Sequence, residues 1–242
     1  MLGRKDQTSY FFVAEQYPNN RWEMKLDQAS IQPSVGAWLA VSPDGKWAAL
    51  CQWQGLLMID TANRKVVPVH PIRSAHHPAH VLFSHDGQWV YCAHVMRGHD
   101  PNPSPRRVVS GQSLIVTRVR VGNPSEQQSV LLPDVRSDFG LTADTRQNPS
   151  ELKDDLALSL ALSPDGQSLF VSAGTTIMRI ALPGFSLNRG WSATVELPCR
   201  LACVKEGWGD TWTVYALGSY YKGDGTKVDE FKTHLYTIPV PR

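Results

Sequence analysis

Short apolar runs that flank a polar turn recur along the chain. The turn carries the marker Ser-x-Asp-Gly, with Asp44 and Gly45 in the first copy, and a short apolar run lies on each side of it. Asp-Gly tolerates the positive φ of a tight hairpin turn, so each copy predicts a strand, a two-residue turn and a second strand. The three copies occupy residues 42–47, 84–89 and 163–168.

The spacing of the markers predicts a β-propeller. Asp86 follows Asp44 by 42 residues, and Asp165 follows Asp86 by 79, which fits one unit with an insertion of about 37 residues. A period of roughly 40–45 residues with four short strands per unit is typical of this all-β fold. The same register puts Trp47 and Trp89 at one position, so we expect them to be buried to a similar extent. About five blades are predicted in one domain, with approximate limits 1–33, 34–75, 76–134, 152–197 and 198–242 and an insertion at 135–151.

The two terminal blades are predicted to be incomplete. The first opens at the echo of the marker around Asp6, without room for an innermost strand, and the last stops after three strands. We therefore expect the chain to be a fragment of a larger, for example seven-bladed, propeller; a partner that supplies the missing strands is the alternative. Uncovered edges and faces favour association, so we expect the chain to self-associate or to be poorly soluble. The apolar residues expected to lack a neighbour are Phe11, Val13, Trp212 and Tyr215.

Composition narrows the range of partners. The 242 residues are 42% hydrophobic and include 18 Gly and 17 Pro, which suits a turn-rich β protein with a sizeable core. A net charge of +2 without a basic aromatic-rich run predicts no nucleic-acid partner. No apolar stretch reaches the roughly 18 residues that a membrane span needs, so no span is predicted.

The four cysteines are predicted to be ordinary thiols. The repeat register places Cys51 and Cys92 on opposite faces of equivalent strands, which argues against a disulfide or a shared metal. Cys199 and Cys203 are four residues apart on one predicted strand and lack the CxxC spacing of a zinc site. Unpaired cysteines weakly favour a reducing compartment.

Propeller geometry places the long irregular segments on one face, which we call the top face. These segments are predicted at 68–79, 93–113, 133–155 and 218–233, whereas the marker turns lie on the opposite face. Loops that extend from one face of a rigid scaffold are common binding surfaces, and tolerated surface insertions are the alternative.

Histidine and arginine side chains concentrate on the predicted top face. In the repeat alignment Trp38, His80, Ser159 and Arg200 share one position, at the top of successive inner strands where side chains enter the central channel. Such a set could hold a carboxylate, a metal ion or a haem-bearing partner, while solvated loop histidines and a satisfied core histidine are the alternatives. No catalytic residue and no metal ligand is assigned. The candidate ligand-binding residues are Trp38, His76, His77, His80, His94, His99, Arg106, Arg107 and Arg200.

Two segments carry a resemblance to a known family. Residues 39–67 and 160–182 resemble the YVTN-type repeats of bacterial lactonase-like β-propellers, with Ile59-Asp60-Thr61 matching the family's "IDT". Residues 93–116 are similar to the corresponding blade of propellers that accompany di-haem, cytochrome-c-peroxidase-like domains, although the Asn- and Trp-containing stretch of that family is lacking. The resemblance implies a role associated with electron transfer, a periplasmic or other extracytoplasmic location, and haem in a neighbouring domain with no cofactor in this chain.

Two functions from different classes follow. We expect a non-catalytic propeller scaffold whose top-face loops bind a protein partner or an adjacent redox domain, because no catalytic constellation is visible. The alternative is a lactonase-like hydrolase that acts at the channel mouth, with polar side chains and a divalent metal.

Overall fold

The protein is described by a computed structural model in which the well-placed residues form β-strands and turns. Described are residues 2–5, 8–14, 21–26, 38–52, 55–69, 80–96, 113–132, 158–173, 175–196, 199–205, 212–223 and 228–240. Within these ranges no residue is helical. The strands are β1 (Leu2–Lys5), β2 (Thr8–Ala14), β3 (Arg21–Leu26), β4 (Trp38–Val41), β5 (Trp47–Gln52), β6 (Gly55–Asp60), β7 (Lys65–Val69), β8 (His80–Phe83), β9 (Trp89–Met96), β10 (Ser113–Arg120), β11 (Asn123–Leu132), β12 (Ser159–Leu162), β13 (Ser168–Ala173), β14 (Thr176–Ala181), β15 (Ser186–Thr194), β16 (Cys199–Lys205), β17 (Trp212–Gly223) and β18 (Val228–Val240).

The strands form antiparallel sheets in which sequence neighbours pair. β4–β7, β8–β11 and β12–β15 are four-stranded sheets, and β16–β18 and β1–β3 are three-stranded sheets. The inner strand β4 packs against β8, β8 against β12, and β12 against β16. These four sheets are therefore successive blades of a β-propeller, which confirms the predicted fold class.

Each marker turn is a four-residue loop rather than the predicted two-residue turn. The Ser42 N–H donates to the Trp47 carbonyl (2.8 Å) and the Gly45 N–H to the Ser42 carbonyl (2.9 Å), with Gly45 at φ 71°. The Ser42 hydroxyl donates to Asp44 (2.7 Å) and accepts the Trp47 N–H (2.9 Å), and the Lys46 N–H reaches the same carboxylate (3.1 Å). The hydrogen bond from the Ser42 hydroxyl is the largest cause, and the one from the Lys46 N–H the next, that lowers the pKa of Asp44 below its usual value. The same five bonds recur at residues 84–89 and 163–168.

Removing the hydroxyl from a buried marker serine is expected to destabilise the fold. Ser163 is fully buried, and its hydroxyl satisfies both the Ser168 N–H (2.9 Å) and the Asp165 carboxylate (2.6 Å). Ser163→Ala leaves a buried N–H without a partner, so the free energy of unfolding should fall by about 1–2 kcal/mol. Urea unfolding measures this. Ser125→Ala, which removes an exposed serine–asparagine bond, is the control and should change stability by less than about 0.5 kcal/mol; equal losses would contradict the expectation.

Two sequence predictions about the terminal sheets are wrong. Leu2–Lys5 does form a strand before β2, because its backbone pairs with β2 from Leu2↔Phe11 to Lys5↔Thr8, and such pairing does not require an apolar run. Residues 218–233 are largely not an irregular loop, since β17 and β18 continue as one long hairpin as far as Gly223↔Val228. The predicted outer strand at 29–32 lies outside the described residues.

Apolar cores lie between the blades. One cluster joins β4–β7 to β8–β11 through side chains such as Met58 and Val90, and another joins β8–β11 to β12–β15 through side chains such as Tyr91 and Leu169. Two further clusters join β12–β15 to β16–β18, with Phe170 fully buried in one of them. The two middle blades, β8–β11 and β12–β15, thus each contribute to two different cores, one on each side, as stacked sheets require.

An arginine between two blades is a feature that the sequence patterns did not predict. The Arg118 guanidinium carbon lies 4.6 Å from the ring centre of Trp89 and 4.8 Å from that of Phe185. Its Nη1 donates to the Leu182 carbonyl (2.8 Å), which belongs to the turn that follows β14 in the next blade.

Trp47 and Trp89 are both half-buried, which confirms that they occupy equivalent positions.

The predicted free thiols are confirmed, but Cys51 and Cys92 are in contact, which the register argument did not predict. Their Sγ atoms are 3.1 Å apart and both residues are fully buried. The register argument correctly put them on opposite faces of equivalent strands, but neighbouring blades stack face to face, so opposite faces are the ones that meet. All four cysteines are free thiols.

One face of the β16–β18 sheet carries exposed apolar side chains. Leu217 and Leu235 are directly paired across β17 and β18 and are 50% and 65% exposed, and Val204 on β16 is 47% exposed. Trp212 and Tyr215 are half-buried, whereas the side chains of Phe11 and Val13 lie outside the described residues. Self-association of the chain stays a prediction, which analytical ultracentrifugation tests.

Candidate functional site

Residues at the starts of three inner strands meet at one end of the propeller. The Trp38 and His80 ring centroids are 4.8 Å apart, edge to face at 88°. The Arg200 guanidinium carbon lies 4.6 Å from the centre of the Trp38 ring, although β16 and β4 belong to the last and the first of the four packed blades. We call Trp38, His80, Ser159 and Arg200 the channel-mouth cluster. The register that predicted this convergence is thus confirmed for Trp38, His80 and Arg200.

Two members of the cluster fasten inner strand β8 to β12 and β12 to β16. The Leu160 N–H donates to His80 Nδ1 (2.7 Å), and the Leu201 N–H donates to Ser159 Oγ (3.0 Å). In both cases a cluster side chain accepts a backbone N–H from the next blade. The donor is the residue that directly follows the cluster residue of that blade. The orientations of His80 and Ser159 are therefore set by the backbone of the following blade.

The acceptor role of Nδ1 defines the state of His80. A nitrogen that accepts an N–H carries no proton, so the neutral ring bears its proton on Nε2. His80 is half-buried, and this burial, together with the positive charge of Arg200, lowers its pKa to about 4. His80 is consequently uncharged at neutral pH and presents an N–H donor.

Arg200 supplies the charge of the site. Arg200 is exposed, and its guanidinium lies over the face of the Trp38 indole in a favourable cation–π arrangement. This stacking leaves the N–H donors at the edge of the guanidinium plane available to a ligand. Among the described residues no carboxylate lies within ion-pair distance of Arg200. An imidazole N–H and a guanidinium next to each other form a donor-rich site that suits an anion such as a carboxylate.

The described residues do not assemble a metal site at this end. No group of three or more His, Cys, Asp or Glu side chains in these ranges is arranged to hold a metal ion. No helix in the described part of the chain is long and apolar enough to cross a membrane.

Most of the other predicted site residues cannot be placed. His94 lies on β9, where its backbone pairs with Ile115, and its side chain is outside the description. Five predicted residues lie outside the described ranges: His76, His77, His99, Arg106 and Arg107. Ser159 shares the register position but was not selected from the sequence, because a serine has no distinctive chemistry there.

The sequence matches no family model and no curated protein. Its fold does have solved counterparts. Over 97% of its length the chain is similar to hydrazine synthase from Kuenenia stuttgartiensis, with a TM-score of 0.51, 14% identity and 60% of that chain covered. It is also similar to apo AztD from Citrobacter koseri over 99% of its length, with a TM-score of 0.44, 12% identity and 62% coverage of that chain. The chain spans less than two thirds of the length of either structure.

Both likenesses are at identities below 25%, so they concern the fold alone. The likeness to hydrazine synthase agrees with the stacked blades, which define the class of this protein as a β-propeller domain. The likeness to YVTN-repeat, lactonase-like propellers stays a prediction.

Proposed function

We propose that this β-propeller domain is a non-catalytic binding scaffold whose channel-mouth cluster binds a carboxylate of a protein partner or an adjacent redox domain. The observation that carries the proposal is the convergence of Arg200, Trp38 and His80 at the top of the inner strands. Arg200 and His80 offer donors without a neighbouring carboxylate among the described residues. The repeat resemblance adds a haem-bearing domain in an extracytoplasmic compartment as the partner, and haem propionates are themselves carboxylates.

The state of His80 favours binding over hydrolysis. A general base that works near neutral pH needs a pKa near that pH, whereas burial and Arg200 lower the pKa of His80 to about 4. Its Nδ1 is also occupied by the Leu160 N–H. Lactone hydrolysis assayed with and without a chelator tests the alternative, and metal-dependent turnover that His80→Ala abolishes would contradict the proposal.

Replacing Arg200 is expected to weaken the binding of an acidic peptide. A charge-assisted hydrogen bond contributes about 1.5–3 kcal/mol, so Arg200→Gln should raise the Kd of a hexaglutamate peptide by about tenfold or more. Isothermal titration calorimetry measures the Kd, with a hexaglutamine peptide as the neutral probe.

Lys205 provides a matched control for this experiment. It is an exposed cation at the opposite end of the same strand, β16, so Lys205→Gln removes the same charge from the protein. Its Kd for the acidic peptide should remain within about twofold of the wild-type value, the change expected from net charge alone. Equal losses in the two variants, or equal affinity for the two peptides, would contradict a carboxylate site at Arg200.

A further inference from the structure

Two buried cysteines from neighbouring blades are in direct contact. Cys51 lies on β5 and Cys92 on β9, and each of these strands is hydrogen-bonded on both sides, to β4 and β6 and to β8 and β10 respectively. The Sγ atoms are 3.1 Å apart, and both residues are completely buried. The positions of the two sulfurs are therefore set by the central part of two sheets.

The repeat itself explains why these two positions meet. By the marker register, Cys51 corresponds to Ala93 and Cys92 corresponds to Val171. Ala93 and Val171 belong to the same buried cluster at the next blade interface, so the equivalent positions face one core there with apolar side chains. Only at the first of these interfaces do the two positions both carry thiols.

We propose that Cys51 and Cys92 are a site of disulfide formation that covalently joins the blade β4–β7 to the blade β8–β11. The bond requires the sulfurs to approach from 3.1 Å to about 2.05 Å, a shift of about 1 Å that the two side chains can share. A disulfide carries no charge and no polar hydrogen, so it suits the apolar cluster of Ala49, Leu56 and Met58 around it.

The oxidation balances with a low-molecular-weight disulfide as the oxidant. The thiolate of one cysteine attacks oxidised glutathione, forms a mixed disulfide and releases one glutathione thiol; the second cysteine then displaces the other glutathione. Two protein thiols lose two electrons, and the glutathione disulfide gains them. The hydrogen bond with the facing thiol and complete burial hold the pKa of Cys92 well above its usual value, so the exchange proceeds during folding or when the blades separate.

The remaining cysteines offer no competing pair. Cys199 and Cys203 lie on one strand, four residues apart, a separation of about 13 Å that is too long for a disulfide. Burial raises the pKa of each of these thiols to about 11.

Peptide mapping of the full chain tests the proposal. The reduced, unfolded chain is refolded with oxidised glutathione, its remaining thiols are alkylated in denaturant, and tryptic peptides are identified by mass spectrometry. We expect one link, between residues 47–64 and 74–97, which hold Cys51 and Cys92, while Cys199 and Cys203 are alkylated. The oxidised protein should melt about 10 °C higher than the reduced one, because the link closes a loop of about 40 residues in the unfolded chain.

Matched variants separate this link from random oxidation. Cys92→Ser should abolish it, and Cys203→Ser, which changes a cysteine outside the pair, should leave it unchanged. If Cys92→Ser does not fold, the wild-type map alone decides. Alkylation of both Cys51 and Cys92 after refolding, or a main link that involves Cys199 or Cys203, would overturn the proposal.

Discussion

Phe170→Ala is expected to lower the free energy of unfolding by about 3–5 kcal/mol. Phe170 is fully buried on β13 and packs edge to face against Trp191, with ring centroids 5.2 Å apart. Its cluster includes Val214 and Val240, so it connects the blade β12–β15 to β16–β18. Truncation to alanine removes the ring and leaves a cavity, because strands paired on both sides cannot collapse into it. Chemical denaturation followed by tryptophan fluorescence gives the free energy.

Two further variants test whether the loss comes from the cavity. Phe170→Leu fills much of the same volume and should lose clearly less stability than the alanine variant. Leu131→Ala removes a side chain that is 58% exposed on β11 and should change stability by less than about 0.5 kcal/mol. A loss below about 1 kcal/mol for Phe170→Ala would show that the last blade does not depend on this contact.

The sequence was sufficient to predict the blades because the marker encodes its turn locally. Ser42, Asp44 and Gly45 satisfy each other and the adjoining backbone within six residues, so a short motif is enough to identify a strand pair. The loop length was predicted wrongly, because the serine hydroxyl and not the Asp-Gly pair alone closes the turn. The strand β1 was missed for a related reason: its four residues, LGRK, carry no apolar run.

Contacts between blades could be predicted only where the repeat register sets them. The register brought Trp38, His80 and Arg200 to one end of the inner strands, and the structure places them in contact. It gave the correct faces for Cys51 and Cys92, but whether two faces meet depends on how sheets stack, which periodicity does not encode. The Arg118 contacts depend on the reach of a long side chain into the next blade, and no local pattern specifies that.

The hydrogen-bonding state of the site was also beyond the sequence. The alternatives for His80 were a ligand and a satisfied core residue, and the structure combines features of both. Its Nδ1 is satisfied by a backbone N–H of the next blade, whereas its ring borders the exposed Arg200. Backbone donors leave no trace in residue identity, so only coordinates could show this bond.

The stability of the fold is expected to fall by about 3 kcal/mol through His80 alone as the pH drops from 7 to 4. The pKa of His80 is about 4 in the folded chain, because burial and Arg200 disfavour the charged ring, against 6.5 when the ring is free in the unfolded chain. Between these values the unfolded chain binds the extra proton, so stability is fully present above pH 6.5 and is lost progressively down to about pH 4. Unfolding free energies measured at several pH values give the slope.

Variants of His80 and Arg200 divide this pH dependence between its causes. His80→Asn keeps an acceptor oxygen for the Leu160 N–H and cannot take up a proton, so it should remove the His80 contribution to the slope. Arg200→Gln should reduce it only in part, since burial is the larger cause of the low pKa. If His80→Asn loses as much stability as the wild type between pH 7 and 4, His80 is not the group responsible.

A carboxylate bound beside Nε2 would favour the protonated ring and raise the pKa of His80. A saturating acidic peptide should therefore flatten the dependence of wild-type stability on pH and leave that of His80→Asn unchanged.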